Sequence, residues 1–298
     1  MSTVTLPTTA SRSREILAWA PLAVLPTAAL ILGSALPAWQ LMWSLAFSIY
    51  TGLKWLTFVD RVPADETLSL RALGYLLLWP GMDAPTFFSR RRRVSAPTRA
   101  EWIFAVAKIA FGILLLNLAL ANLSSTPYAA AWAGLAGLTF VLHFGLFDLL
   151  SLSWRHAGVD ARPIMRAPIN ATTLAEFWSE RWNLAFRDLA HVYIFRPLAP
   201  RIGLRGATMA TFLASGLIHD FVISIPAGGG YGLPTLYFVL QGCGVCFERT
   251  RLGRRLGFDR GEIGWFYCLA MTTLPVGLLF HGPFIDRVVL PMLSLTPI

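Results

Sequence analysis

The sequence predicts an all-α integral membrane protein with about seven to nine transmembrane helices and one cytoplasmic, interfacial amphipathic helix. Three observations predict it. Of 298 residues, 55% are hydrophobic and only 14% charged, and the mean hydropathy is +0.58, more apolar than a soluble domain of this size needs. Apolar runs approach or reach about 20 residues, the length that crosses about 30 Å of hydrocarbon. The arginines fall on alternate loops, as the positive-inside rule requires of a polytopic chain.

Taken in order, the first run is Ile16–Leu36. It follows Arg12 and Arg14 as a secretory leader would, but its length, Pro21 and Pro26, and the run directly after it predict an anchor that stays. Ala38–Val59 is the second span. Leu68–Trp79 is shorter and predicts an interfacial or re-entrant piece, broken at Pro80-Gly81. Trp102–Leu123 and Tyr128–Leu152 follow, the latter carrying His143 and Asp148, which could line a passage. Gly206–Ile225, Gly232–Phe247 and Ile263–Phe280 complete seven spans, and the short run Val288–Leu295 ends the chain. All of 1–298 reads as one polytopic membrane domain.

Between Ser153 and Arg205 lies the longest polar stretch. Thr173-Leu-Ala-Glu176 has the form of a capping box. Leu174, Phe177, Trp178, Trp182, Ala185 and Leu189 follow at helical spacing, with Glu176, Glu180, Asn183 and Arg187 on the opposite face. This predicts a helix lying at the cytoplasmic boundary, ended by the break Phe195-Arg-Pro-Leu198.

Charge placement gives the orientation. Arg12, Arg14, Arg61, Arg90 to Arg93, Arg99, Arg155, Arg162, Arg166 and Arg249 to Arg255 mark the cytoplasmic loops, and the N-terminus is cytoplasmic with them. The opposite loops carry no charge until Asp286 and Arg287. The net charge of +9 is therefore topological. A nucleic-acid partner is excluded, because no folded soluble face gathers the basic residues. The expected location is a bacterial inner membrane or its equivalent. Cys243-Gly-Val-Cys246 sits in an apolar run without a second ligand pair and reads as packing, so no metal site is expected.

Inside the span 206–225, His219 is followed by Asp220. Ionisable groups at that depth are costly, so they face the protein interior and find partners or functions. Two readings stand for His219: a histidine satisfied by a neighbouring helix carbonyl, or a working base.

Phe177-Trp-Ser-Glu-Arg-Trp-Asn183, then Phe195-Arg-Pro-Leu198, then Ser215-Gly-Leu-Ile-His-Asp220 resembles the wax synthase branch of the membrane-bound O-acyltransferases, most densely over a core of about 165–250. Leu73-Gly-Tyr-Leu-Leu-Leu-Trp-Pro-Gly-Met-Asp83 and Lys54 are similar to the family's N-terminal half, while Asp220 stands where a glutamate is frequent. The resemblance implies transfer of an acyl group from acyl-CoA, a co-substrate rather than a bound cofactor, to the hydroxyl of an apolar alcohol. It implies His219 and Asn183 as the catalytic pair. The residue chemistry agrees: a thioester is already activated, so no covalent nucleophile is needed, while the attacking alcohol must lose a proton, and a neutral imidazole can take it. The Asn183 amide would polarise the thioester carbonyl. Arg181, Arg187 and His191 are the candidates to meet coenzyme A, and Trp178, Trp182 and Asp220 to line the substrate passage. The donor would come from the cytoplasm and the alcohol through lipid, meeting at His219. The competing reading is a proton-coupled transporter with His219 and Asp220 as a relay, against which stands the lack of an internal repeat.

Overall fold

A computed structural model describes residues 9–62, 64–67, 69–90 and 94–294. Arg91 to Arg93, Leu68 and Leu295 lie outside the described residues, as do the side chains of Arg12 and Arg14. Every regular element among the described residues is helical: α1 Thr9–Leu32, α2 Ala38–Arg61, α3 Leu70–Leu78, α4 Ala84–Phe87, α5 Arg99–Ala121, α6 Pro127–His156, α7 Leu184–Ala227, α8 Leu233–Glu248, α9 Arg251–Arg255 and α10 Gly261–Thr273 are the main ones. Among the described residues five stretches are both long and apolar enough to cross a membrane: Glu15–Leu32, Arg99–Ala121, Pro127–His156, Leu184–Ala227 and Gly261–Leu279. Large apolar side chains stand exposed along them, Leu32 at 81%, Phe104 at 66% and Leu274 at 83%. Only lipid makes such a surface favourable, so the protein is an integral membrane protein.

The other two expected spans also form helices, but α8 has 16 residues and α2 carries the buried Lys54. The Lys54 ammonium is 2.5 Å from the Gly81 carbonyl and 3.2 Å from the centre of the Tyr75 ring. A cation at that position is tolerable because carbonyl and π-face replace its water. The bond also pins the non-helical 79–82 segment, which the Pro80-Gly81 break predicts.

Helix α1 packs along α2, α5 along α6, α7 along α8, and α2 crosses α7. At the α5–α6 crossing a Cβ on Gly112 would lie 2.8 Å from the Gly137 carbonyl, and one on Gly137 2.9 Å from the Gly112 carbonyl. Two glycines face each other, so the backbones approach as only small residues allow.

The boundary helix differs from expectation. Instead of one helix running to a break at Pro197, a short turn over 174–181 stops at Trp182, and Asn183 turns left-handed at φ 42. A new helix, α7, then runs through Pro197 and bends only at Gly203, where φ is 73. Pro197 costs nothing because a π-helical turn over His191–Phe195 precedes it and already leaves the local i→i−4 pattern. The capping box is half made: Thr173 Oγ1 accepts from Glu176 N, but the Glu176 carboxylate reaches Thr172 rather than Thr173.

The α7–α8 turn is built on glycine. Gly230 sits at φ 74, and a Cβ there would strike the His281 ring. His281 is buried, its Nδ1 accepts from Phe284 N at 3.2 Å, and its Nε2 therefore faces Ser224 Oγ, 3.2 Å away, as donor. Burial pushes this imidazole below its ordinary range, against the pull of the Asp220 carboxylate. A depressed folded pKa gives stability that is present above the unfolded histidine range, near pH 6.5, and is lost as pH falls through the folded value. The melting temperature of the detergent-solubilised protein should fall between pH 7.5 and 5, and this acid step should shrink in His281→Gln.

Candidate active site

Two helices and one turn build the central cavity, of about 260 Å³. From α7 it receives Thr208, Thr211, Phe212, Ser215 and His219, spaced three or four apart and so on one face. From α8 come Phe238, Val245 and Arg249; the 174–183 segment contributes Trp178, Trp182 and Asn183. Glycine lets the helices close on it: a Cβ on Gly242 would meet the Met209 sulfur at 2.9 Å and Phe212 at 3.1 Å.

His219 Nδ1 lies 2.7 Å from the Ser215 carbonyl oxygen. A carbonyl only accepts, so Nδ1 carries the proton and the neutral ring keeps its lone pair on Nε2. Its ring packs on Phe238, centroids 4.4 Å apart. The first sequence reading of His219, a histidine satisfied by a helix carbonyl, describes this bond, which also fixes the tautomer that leaves Nε2 its lone pair.

Asn183 Oδ1 accepts from Phe186 N at 3.2 Å and caps α7. Asn183 lines the cavity, and with Oδ1 committed its carboxamide has only the NH2, a donor, left to offer. Arg187 and His191 also line the cavity; Arg187 is paired with Asp188 at 3.0 Å, and among the described residues its Nε is buried without a partner. A second, polar cavity of about 140 Å³ lies against the opposite face of α7, and Arg187 borders both. Trp182 stacks on Phe177 at 5.5 Å, and Trp178 donates from Nε1 to Gln241 Oε1 at 3.2 Å.

Two expected site residues are placed elsewhere. Arg181 is bound to Glu176 at 2.6 Å and to the carbonyls of Arg166 and Ala167, which ties the turn to the preceding loop. Burial draws the Glu176 carboxyl upward, but the Thr172 N–H and Arg181 outweigh it and hold the group below the usual carboxylate range. Asp220 turns away from His219, as neighbours about 100° apart on a helix must. Its Oδ2 accepts from Gly232 N at 2.7 Å and Thr235 Oγ1 at 2.9 Å, closing the α7–α8 turn. A relay through His219 and Asp220 therefore loses its second member. His143 and Asp148 line neither cavity; Asp148 is paired with Lys108. No group of three or more metal-ligating side chains occurs among the described residues.

Sequence reading missed three contributors. Arg249 reads as one more topology determinant, yet it lines the cavity. Gln241, fully buried, is the lone amide of α8. Glu248 is buried at the end of α8, its two oxygens accepting from Leu174 N at 2.8 Å and Ala175 N at 2.9 Å. It caps the turn that carries Trp178. Glu248→Ala strands one buried and one half-buried N–H group and should cost about 1–3 kcal/mol, seen as a lower melting temperature in detergent; Glu248→Gln, which keeps one acceptor, should lose less.

Residues 161–240, which hold most of this cavity, match the family described as the membrane bound O-acyl transferase family. The chain is 30% identical over 206 residues to a probable long-chain-alcohol O-fatty-acyltransferase 2 of Arabidopsis thaliana, covering 63% of this chain and 58% of that protein. It is 33% identical over 134 residues to a long-chain-alcohol O-fatty-acyltransferase of Simmondsia chinensis, covering 37% and 38%. A probable long-chain-alcohol O-fatty-acyltransferase 3 of Arabidopsis thaliana is 25% identical over 56% of each chain. The chain thus spans 38% to 58% of the length of these relatives. The resemblance carried by the Phe177–Asn183 and Ser215–Asp220 motifs is borne out.

Proposed function

We propose that this protein is an acyl-CoA-dependent O-acyltransferase that esterifies an apolar alcohol, with His219 as general base. One observation carries the reading: an imidazole with Nδ1–H spent on the Ser215 carbonyl and Nε2 free borders a cavity that also presents the Asn183 amide. In the reaction the alcohol oxygen attacks the thioester carbonyl as Nε2 takes its proton. The carbonyl oxygen gathers negative charge, which the Asn183 NH2 meets. The C–S bond then breaks, and the thiolate of coenzyme A recovers the proton from the imidazolium. Bases of this kind contribute when positioned near a pKa suited to neutral pH, and no resident cofactor enters.

In this reading α2 and α8 sit at membrane depth with the five long spans, the 174–181 turn and the arginine-rich loops face the cytoplasm, and the host membrane is a bacterial inner membrane or an equivalent. The basic side of the cavity, Arg187, His191 and Arg249, then receives the phosphates of a water-soluble donor. The alcohol comes from the lipid. The test is purified protein in liposomes with a panel of acyl-CoAs and apolar alcohols, following free thiol and extracted ester together. Equal amounts of both support the reading; neither product from any pairing, in protein with an intact melting transition, overturns it.

A further inference from the structure

Three segments meet at the second, polar cavity: the non-helical run 79–83 with the start of α4, the loop over 160–166, and residues 184–188 of α7. Each is anchored. Lys54 holds the Gly81 carbonyl. The buried Ser151 Oγ donates to the Ala161 carbonyl at 2.7 Å, Leu184 N to the Ile164 carbonyl at 3.0 Å, and Arg166 N to the Arg181 carbonyl at 2.8 Å. The cavity is therefore a built feature of the fold, with walls that three separate bonds hold in register.

Its lining carries three arginines and three aspartates: Arg162, Arg166, Arg187, Asp83, Asp160 and Asp188. Four of the six are paired inside the protein. Arg162 reaches both oxygens of Asp160 at 3.3 Å, and Arg187 Nη1 stands 3.0 Å from Asp188 Oδ1. Arg166 and Asp83 enter no ion pair among the described residues. Asp83 gives Oδ1 to Thr86 N at 3.2 Å, which fixes the carboxylate and leaves Oδ2 to spend. The charges of Arg166 and Asp83 both reach Asp188, so the two unpaired groups share one neighbourhood. A simple anion would be welcomed by Arg166 but would face the Asp83 and Asp188 carboxylates; a simple cation would meet the reverse. A ligand with both charges a few atoms apart answers both groups at once. The surroundings give its source. Helix α3 runs straight into Trp79 in the cavity wall, and its Leu70, Leu73, Leu77 and Leu78 are exposed, the kind of surface that lipid covers.

We propose that this cavity is a binding site for the zwitterionic headgroup of an aminoalkyl phospholipid, its phosphate on Arg166 and its ammonium on Asp83, with the acyl chains along the leucines of α3. A charge-assisted bond at each end is the strong kind, and the bound lipid ties the 79–83 segment to the 160–166 loop. The site is separate from the cavity that His219 borders and does not rest on the transferase reading.

The experiment titrates delipidated full-length protein in detergent micelles with phosphatidylethanolamine, phosphatidylcholine or phosphatidylglycerol of identical acyl chains, and with soluble glycerophosphoethanolamine. Melting temperature and, by native mass spectrometry, retained lipid are read together. Phosphatidylethanolamine should raise the melting temperature by a few degrees and bind at least about tenfold more tightly than the other two lipids. Choline has no N–H to give Asp83, and the glycerol headgroup brings no cation. Asp83→Asn, which keeps an acceptor for Thr86 N, and Arg166→Gln, at an exposed position, should each abolish the preference while melting like wild type without lipid. Equal effects of the three lipids, or a preference that survives both variants, would overturn the proposal. Tightest binding of phosphatidylglycerol would make the cavity a plain anion site and overturn it too. Glycerophosphoethanolamine acting as strongly as the lipid would overturn the membrane source. Ester formation is measured separately, so a failure here leaves the transferase reading standing.

Discussion

His219→Ala should lower kcat for ester formation by about 10²–10⁴-fold, the range that a positioned general base supplies, with little change in KM for the donor. The argument is local. His219 touches the α7 backbone through one bond, Nδ1–H to the Ser215 carbonyl, and that carbonyl keeps its helical partner when the ring is gone. Its ring also packs on the face of Phe238. The folding cost is therefore that of a truncated, partly buried ring, and the melting temperature should move by a few degrees, not collapse. His219→Gln refines the test: a carboxamide can bond Ser215 O through its NH2 but has no nitrogen lone pair to accept the alcohol proton, so it should be as inactive as alanine. Substantial ester formation by either variant would return His219 to a structural role and leave the cavity without its base.

The span pattern and the site motifs were legible in the sequence for different reasons. Lipid-facing runs such as Trp102–Leu123 and Tyr128–Leu152 are written in composition, and α5 and α6 occupy them with ends shifted by a few residues. His219, Asn183, Trp178, Trp182, Arg187 and His191 are brought to one cavity because the motifs that carry them lie on two consecutive elements. Illegible was anything set by backbone turns or distant partners. The amphipathic pattern from Leu174 to Leu189 is real, but periodicity does not register a single left-handed residue, so the break at Asn183 is invisible to it. Arg181 and Asp220 look like site residues by position, whereas their partners, Glu176 and the 232–235 turn, are found only in three dimensions. Gln241 and Glu248 carry no motif at all; each is a lone polar group in an apolar helix, and such groups signal that a partner exists without saying which.

Asn183 offers the second large effect, because its two amide atoms do different work. Oδ1 caps α7 through Phe186 N, a contribution of about 1 kcal/mol to stability. In the proposed reaction the NH2 is the oxyanion donor, and loss of one such donor costs about 10²–10³-fold in kcat. Substitutions separate the two. Asn183→Asp keeps an acceptor for Phe186 N and tolerates the left-handed backbone at φ 42, but it replaces the donor with a carboxylate oxygen. It should melt like wild type and lose at least about 10²-fold in kcat, the added negative charge opposing the developing oxyanion. Asn183→Gly accepts the same φ without strain and loses both cap and donor, so its kcat should fall about as far while its melting temperature also drops. Asn183→Ala also loses cap and donor but, unlike glycine, keeps a Cβ at positive φ without the polar side chain that makes that backbone tolerable, so it should be the least stable of the three. If the activity loss instead tracked the melting temperature across the series, with Asp near wild type in both, the asparagine would be a hinge and cap only. The carbonyl would then be polarised by another donor bordering the cavity, of which the Trp182 indole is the nearest in chain position.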